Sequence, residues 1–422
     1  MRSLFAGAIA LAGICGVASS TALAANPYGS STLLPLPETS PQLYTPAEAV
    51  AASPYRATVA RMHQEPMPSS PMPEGPSIAC DAGAAADCGT CNSCGSCNWW
   101  FSFAALVMSR DNPNAFWTTF DTNLNTNQLM NTRDASPDWR WGGEITLGRW
   151  FGCDPCNRCG IAVSYFALDP ISGFTSLRSP TNDLSTPINL NTQAGQFQIG
   201  ARNAADYFDA AREHRISRED EIHNVEINFL NAHGGSGYGA TVTWLAGVRF
   251  LRFDEGLVFG SVAGDAATVN AGGSEFGNNG GVDEAYLDIR TENNLVGFQI
   301  GAMLEWQTAS RLGFFVTPKI GIYDNEIQAR SRLYSGDGVT AFDIQSTESH
   351  FSFMAQLDVG LTWDWNDRVR LFGGYRAIAA TGIALADNQI PAFIAAADEF
   401  ADIDTNGNLI LHGAFFGVEI TF

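Results

Sequence analysis

The last residues of the chain alternate between two kinds of side chain and end on an aromatic residue. One face of this segment carries Ala414, Phe416, Val418, Ile420 and Phe422. The other face carries Gly413, Gly417, Glu419 and Thr421. Successive side chains of a strand point to opposite sides, so the pattern predicts a strand with one apolar face. A final strand that closes on an aromatic residue is typical of transmembrane β-barrels, whose outer face meets lipid.

The first 24 residues have the pattern of a secretory signal peptide. Arg2 supplies a positive charge, residues 4–17 are mainly apolar, and Ala22-Leu23-Ala24 forms a small-x-small cleavage site. We therefore expect cleavage after Ala24 and export of the rest of the chain. No later segment has about 18 consecutive apolar residues, so we expect no membrane-spanning helix.

Composition narrows the class of protein and of partner. The chain of 422 residues has 42 glycines, 11% aromatic residues and only 16% charged residues, which suits strands with one face in lipid. Its formal net charge is −21, so we expect no nucleic-acid partner. We assign the acidic excess to hydrated surface loops.

Alternating segments recur from residue 98 to the C-terminus, for example at 296–306 and 353–365. Each is near the roughly 9–11 residues that a tilted spanning strand needs. They predict an all-β, antiparallel, up-and-down transmembrane barrel of about ten strands, or twelve if a long loop hides a hairpin, for example around residues 196–207. The sequence predicts long connections outside the cell at 111–138, 170–215, 254–285, 324–350 and 378–408. It predicts short periplasmic turns at 153–159, 231–239, 307–311 and 366–367.

Four regions follow from these patterns. Residues 1–24 are the signal peptide, and residues 25–79, which hold most of the 19 prolines, are expected to form a disordered periplasmic linker. Residues 80–97 form a cysteine-rich segment, and residues 98–422 form the barrel.

Three stretches of the chain resemble the putative β-barrel porin family of type seven. They are GVRFLRFDEGL at 247–257, NNLVGFQIG at 293–301 and the ending HGAFFGVEITF at 412–422. The resemblance covers roughly residues 98–422 and implies an outer-membrane barrel of poorly defined role. It supplies no catalytic residues, so we expect neither an enzyme nor a cofactor.

Eight cysteines remain after removal of the signal peptide, which contains Cys15. They are Cys80, Cys88, Cys91, Cys94, Cys97, Cys153, Cys156 and Cys159. The predicted topology places both groups at the periplasmic end of neighbouring strands, where disulfides between them are the favoured interpretation. Repeated C-x-x-C spacing also fits a zinc or iron–sulfur site, although an oxidising compartment argues against it. A cysteine-rich tract without one defined pairing is the third alternative.

Residues 402–408 resemble the first half of a calcium-binding loop, with oxygen-bearing side chains at Asp402, Asp404 and Asn406. The twelfth position of such a loop requires Glu and is Gly413 here. An acidic turn is therefore the favoured interpretation, with a loose calcium site as the alternative.

Strand alternation points a set of charged residues into the barrel. They are Arg140, Glu144, Arg249, Glu305, Lys319, Asp358, Asp364, Arg370, Arg376 and Glu419. The favoured interpretation is a paired network that keeps charges away from lipid, and the alternative is a selectivity constriction. At about ten strands we expect a narrow interior that is mostly filled by side chains.

The sequence favours a structural or porin-like barrel with narrow passage of small solutes. Its expected partners are outer-membrane lipid and either small solutes or divalent cations, and nothing in the sequence defines an oligomeric state. The second hypothesis is a surface-binding protein that acts through acidic loops. The third is a membrane-embedded hydrolase using His350 with Glu348, or His214 with Asp220, without any Gly-x-Ser-x-Gly nucleophile motif to support it.

Overall fold

A computed structural model describes residues 99–111, 114–136, 139–151, 157–190, 197–233, 239–264, 281–308, 311–391, 394 and 396–422. Within these ranges the strands in chain order are β1 Trp99–Arg110, β2 Trp117–Asp121, β3 Leu124–Asn131, β4 Arg140–Phe151, β5 Asn157–Arg178, β6 Leu184–Ser185, β7 Gln198–Ile199, β8 Arg202–Asn203, β9 Glu213–His233, β10 Gly239–Val262, β11 Glu284–Gln307, β12 Leu312–Ser335, β13 Thr340–Asp364, β14 Val369–Ile383 and β15 Gly407–Thr421. Helix α1 is Ala205–Phe208, and 3₁₀ turns occupy Thr132–Ala135, Ala386–Gln389 and Ala397–Ala401. No helix within the described part of the chain is long and apolar enough to cross a membrane.

Ten of these strands close into a barrel in the order β1-β15-β14-β13-β12-β11-β10-β9-β5-β4. Every neighbouring pair is antiparallel, and Trp99 and Phe422 exchange backbone hydrogen bonds of 3.2 and 2.9 Å where the first and last strands meet. The prediction of a ten-stranded up-and-down barrel is confirmed. The twelve-stranded alternative is wrong, because the β7–β8 hairpin forms a separate two-stranded sheet.

The two ends of the barrel differ. The terminal end, where β1 begins and β15 ends, has the short connections 152–156, 234–238, 308–311 and 365–368. The loop end has the connections 111–139, 179–212, 263–283, 336–339 and 384–406. Strands β2, β3 and β6 form a small sheet within the loop-end connections. The predicted alternation of long and short connections is therefore present, with one exception.

The exception is the predicted long connection 324–350, which is wrong. Strands β12 and β13 continue through it and are joined by residues 336–339 alone. Strands β9 to β13 span 21 to 25 residues, whereas β1 and β4 span 12, so the expected strand length is also wrong for this side. We call the loop-end parts of β9 to β13 the strand extensions.

The strand extensions also alternate with a two-residue period, but here the inward side chains are apolar and the outward ones are polar. In β12, Ile327 and Leu333 point inward and are fully buried, whereas Glu326 and Arg330 lie on the exposed face. An apolar inner face and a charged outer face are the arrangement of a sheet surrounded by water. Because the outward residues of the extensions are polar, the expected alternation of apolar outward residues predicts no strand there.

Nearer the terminal end the outer face is apolar. Exposed side chains on this band include Phe229, Trp244, Val248, Phe298, Ile300, Ile320, Phe353, Val359, Leu361 and Phe416. Phe298 is 76% exposed, and such a continuous ring of apolar side chains is unfavourable in water. The band fits the hydrocarbon layer of a bilayer.

Two apolar clusters fill the inside. The lumen cluster lies within the barrel and includes Leu106, Phe166, Leu251, Phe253, Tyr323 and Phe415. The cap cluster lies between the strand extensions and the loop-end connections and includes Phe197, Phe208, Phe259, Leu287, Phe342 and Phe400.

Candidate functional site

Charged side chains line the lumen at three levels, of which the lowest lies at the terminal end. Arg370 contacts Glu305 at 3.0 Å and Asp364 at 2.8 Å. Glu419 interacts electrostatically with Arg370 and forms no ion pair with it at contact distance among the described residues. One guanidinium therefore faces three carboxyl groups, and this level has an acidic excess.

The middle level spans the lumen from wall to wall. Arg376 of β14 donates from Nε and Nη2 to the two oxygens of Asp358, both at 3.0 Å, and also bonds Glu144 on β4. The two-pronged bond to Asp358 uses the planar geometry of the guanidinium. Because β15 and β1 lie between β14 and β4 in the barrel, this contact crosses the interior and does not merely join neighbouring strands.

Glu226 organises the other half of the middle level. Its carboxylate accepts from Lys319 at 2.9 Å and Gln299 at 2.8 Å, and lies 3.6 Å from Arg249. Arg249 also donates to Gln356 at 2.9 Å. A buried carboxylate stays ionised only when donors and opposite charges replace its water shell, and this shell supplies both.

The upper level lies above the lumen cluster and is fully buried. It consists of Arg110, Arg140, Arg218, Asp220, Glu255 and Asp387, whose side chains are all 0–2% exposed. Glu255 pairs with Arg110 at 2.7 Å and with Arg218, while Asp220 pairs with Arg140. Three cations thus face three carboxyl groups.

The connection between β14 and β15 enters the barrel and reaches the upper level. We call its residues 384–390, of which all but Asn388 are buried, the plug. The Asn293 side chain donates to the Ala384 carbonyl oxygen at 2.9 Å and accepts from the Ala384 N–H at 2.8 Å. Asn325 and Ser352 donate to the Gly382 carbonyl oxygen at 3.0 and 2.9 Å. Ala386 N–H donates to Glu255 at 2.8 Å.

Asp387 is the least satisfied member of the upper level. It lies on the plug, outside the barrel strands, 3.7 Å from Arg218. Neither carboxylate oxygen accepts a hydrogen bond from another described residue. Burial, followed by repulsion from Glu255, raises the pKa of Asp387 to about 6, against the opposing influence of Arg218 and Arg110.

All the charged residues expected to face the lumen lie on barrel strands and belong to these levels. Arg140 is in the upper level, Arg370, Glu305, Asp364 and Glu419 are in the lowest, and the others are in the middle. The sequence did not reveal Arg110, Arg218, Glu255 or Asp387 as site residues. The first three lie where the outer face has become polar, and Asp387 lies in a segment without any period, so alternation gave no signal.

The remaining candidates are separate from the lumen. Asp404 Oδ1 accepts from the Asn406 N–H at 2.8 Å, which is a turn-forming bond, and Asp402 is exposed. Among the described residues no group of three His, Cys, Asp or Glu side chains is arranged to hold a metal ion. Cys159 is exposed at the terminal end and forms no disulfide with a described residue. The other seven cysteines of both groups lie outside the described residues, as do residues 1–98.

The proposed hydrolase pairs are not assembled in this structure. His214 is fully buried, with Nδ1 2.8 Å from the Thr119 hydroxyl and Nε2 3.1 Å from the Phe208 carbonyl oxygen. The Asp220 carboxylate forms ion pairs with Arg110 and Arg140 and not with His214. His350 and Glu348 are exposed neighbours on β13, and no described contact joins them.

Comparison with known proteins addresses the fold. A family model described as Putative beta barrel porin-7 (BBP7) matches residues 101–422. No curated protein matches the chain.

Solved outer-membrane proteins resemble the chain at low similarity. Outer membrane protease OmpT from Escherichia coli shares 9% identity at a TM-score of 0.35, with 77% of this chain and 97% of that chain covered. A major outer membrane protein from Thermus thermophilus shares 10% identity at a TM-score of 0.29, with 76% and 99% covered. The Pseudomonas putida toluene transporter TodX shares 10% identity at a TM-score of 0.30, with 76% and 88% covered. TM-scores this low give no information on activity.

Proposed function

This chain belongs to the putative beta barrel porin-7 family, and on that premise we propose that it is a closed structural barrel of the bacterial outer membrane. In this proposal the loop end faces the outside of the cell and the barrel holds the cap cluster and its connections above the membrane. The lumen does not conduct solutes in this state. The porin-like alternative requires a continuous aqueous path through the same lumen.

One observation supports the closed lumen most strongly. Along β10, the successive inward residues Arg249, Leu251, Phe253, Glu255, Leu257 and Phe259 are each at most 2% exposed. They pass from the middle ionic level through the lumen cluster and the upper level to the cap cluster. Side chains this inaccessible leave no space beside β10 for a hydrated solute, which supports the proposed closed lumen.

The orientation rests on the difference between the two ends. Outer-membrane barrels place short turns in the periplasm and longer connections outside, and the terminal end has the short turns. The charged outer face of the strand extensions also belongs in water, beyond the apolar band. An extracellular loop end agrees with both features.

Surface binding is the second candidate, and the strand extensions favour it. A barrel that served only to span lipid would not need strands of 24 or 25 residues. The extensions and the cap cluster build a rigid platform outside the bilayer, on which binding residues can be held in place.

Cysteine labelling of whole cells tests the closed lumen and the orientation together. Ser352→Cys places a thiol at a fully buried inward position of β13, and Thr347→Cys places one at an exposed position of the same strand. A membrane-impermeant maleimide, located by mass spectrometry at each substituted peptide, should label Thr347→Cys rapidly. It should label Ser352→Cys only after heat unfolding.

Equal labelling of the two positions on intact cells would contradict a closed lumen. Labelling of Thr347→Cys only after the outer membrane is permeabilised would reverse the proposed orientation.

A further inference from the structure

Within the described part of the chain, one edge of β13 has no partner strand at the loop end. Strand β13 pairs with β12 along its whole length, up to Thr340. It pairs with β14 only from Met354 onward, where Met354 lies opposite Ala380. Residues 340–350 therefore present backbone N–H and C=O groups on the side away from β12, whereas Phe351 and Ser352 lie beside Gly382 near the end of β14. No described turn or loop residue makes a backbone hydrogen bond to residues 341–352.

The edge is open to solvent between residues 345 and 351. Every residue in this stretch is exposed except Ser346, which is half-buried, and Phe351 is 72% exposed. Glu348 and His350 occupy inward positions but are also exposed, so both faces of the strand are uncovered here. We call residues 345–351 the β13 edge.

Open edges of this kind are usually protected, because they can pair with another chain. Lysine, proline and bulges are the common protective devices. Residues 345–351 contain no lysine and no proline, and the register irregularity of the β12–β13 pair lies outside them, between Thr340 and Phe342. The edge therefore keeps the geometry that strand addition requires.

The charges around the edge define the partner. Glu348 lies on the edge, and Asp324 and Glu326 lie on β12 opposite Phe351 and Ser349. None of the three carboxylates takes part in an ion pair with a described residue, whereas the next acidic residue of β13, Asp343, is paired with Arg330 at 2.6 Å. A second copy of the same edge would bring like charges together, at a cost in free energy. A basic strand would instead meet unpaired carboxylates.

We propose that the β13 edge binds an extended cationic peptide segment by strand addition, with an apolar side chain beside Phe351 and basic side chains on both faces. The basic side chains meet Glu348 on the inner face and Glu326 and Asp324 on the outer face. The backbone bonds supply affinity for any extended chain, and the carboxylates select a basic one. The interaction does not depend on whether the lumen conducts, so its failure and the failure of the closed-barrel proposal are separate outcomes.

The test uses full-length protein in detergent micelles and two synthetic probes. The first is a short peptide of lysine and valine that carries lysine on both faces of an extended strand. The second has the same sequence with every second amide N-methylated, which removes donors but keeps the charge. Fluorescence anisotropy should show binding of the first probe and at least about tenfold weaker binding of the second. Hydrogen exchange of residues 341–351 should slow when the first probe binds.

Paired variants test the carboxylates. Glu348→Gln with Glu326→Gln should weaken binding of the first probe several-fold, about the effect of losing exposed charge pairs. The matched control, Asp398→Asn with Asp402→Asn, removes two carboxylates elsewhere at the loop end and should leave binding unchanged. The heat-dependent gel mobility of each variant confirms that the barrel has folded.

Three results would overturn the proposal. Equal binding of both probes would reduce the interaction to charge attraction, and an equal loss in the control variant would place it elsewhere on the acidic surface. Protection of residues 341–351 that rises with protein concentration, without any probe, would assign the edge to a second copy of the chain.

Discussion

Asn293 of β11 binds both backbone polar groups of Ala384, at 2.9 Å through its Nδ2 and at 2.8 Å through its Oδ1. Both residues are fully buried. The amide side chain thus replaces the strand partner that the backbone loses where the chain leaves β14. It fixes the plug inside the barrel at the point where the connection begins.

Replacing Asn293 with Ala should release the plug. The change leaves the N–H and C=O of Ala384 buried without partners, at about 1–3 kcal/mol for each group. Limited proteolysis should then cut within residues 384–391 of the variant and leave this segment intact in the parent protein. Asn294→Ala is the matched control, because that neighbour points outward and bonds Glu292. Continued protection in Asn293→Ala would show that apolar contacts hold the plug in place without the two Asn293 hydrogen bonds.

The free energy with which the plug docks in the barrel should depend on pH because of Asp387. Its pKa is about 6 in the buried state, against an ordinary value of 3.8, so the docked plug binds a proton more tightly than the released one. Docking is therefore strongest below about pH 3.8 and weakens as the pH rises through 6. The full difference is about 3 kcal/mol, since one pKa unit corresponds to about 1.4 kcal/mol.

Hydrogen exchange of residues 384–391 checks this sign. Exchange, corrected for its intrinsic pH dependence, should be better protected at pH 5 than at pH 8 in the parent protein. Asp387→Asn stays neutral and should abolish the difference. Stronger protection at pH 8 would mean that Asp387 acts in the docked plug as an ion-pair partner of Arg218 rather than as a buried acid.

The alternation in the sequence predicted the membrane-facing part of the fold but not the strand extensions beyond it. Alternation identified residues such as Leu361 and Arg376, because lipid selects an apolar outside and leaves charges for the inside. The strand extensions follow the opposite rule, and Ile327 and Arg330 were therefore assigned to a loop. Contacts across the lumen, such as Arg376 with Glu144, join residues 232 positions apart and depend on the register of all the strands between them. The plug has no period at all.

The apolar band gives a stability prediction within one strand. Leu361→Arg should lower the free energy of unfolding by about 2–4 kcal/mol if the residue lies near the middle of the bilayer. Thr347→Arg, on the same outer face of β13 but beyond the band, should change it by less than about 1 kcal/mol. Urea titration of refolded protein in lipid vesicles measures both. Similar small effects at the two positions would place Leu361 outside the hydrocarbon layer.

Substitution of Gly360, next to Leu361, should act through steric crowding inside the barrel and not through contact with lipid. A methyl group there would lie 2.4 Å from the Gly373 carbonyl oxygen and 2.6 Å from the Phe315 ring. Gly360→Ala should therefore destabilise the barrel by crowding, and Phe315→Leu in the same chain should recover part of the loss. A lack of any effect of Gly360→Ala would show that β13 and β14 can separate locally.

The cysteine groups remain a prediction about the terminal end. Disulfides between residues 80–97 and 153–159 should stabilise the protein by about 2–4 kcal/mol, since each closes a loop of tens of residues. Peptide mapping without reductant should recover peptides that join the two groups, with Cys159 among the linked residues. Eight free thiols, or a metal ion released by a chelator, would favour the metal site instead.

The closed lumen is tested most directly by recording current across a planar bilayer that contains the refolded protein. Insertion should be verified independently, by heat-dependent gel mobility of the protein recovered from the same vesicles. We expect inserted barrels to give no stable conductance steps at neutral pH, because ionic and apolar side chains fill the lumen at successive levels. Reproducible open steps that scale with the conductivity of the salt solution would contradict the closed structural barrel and establish a porin.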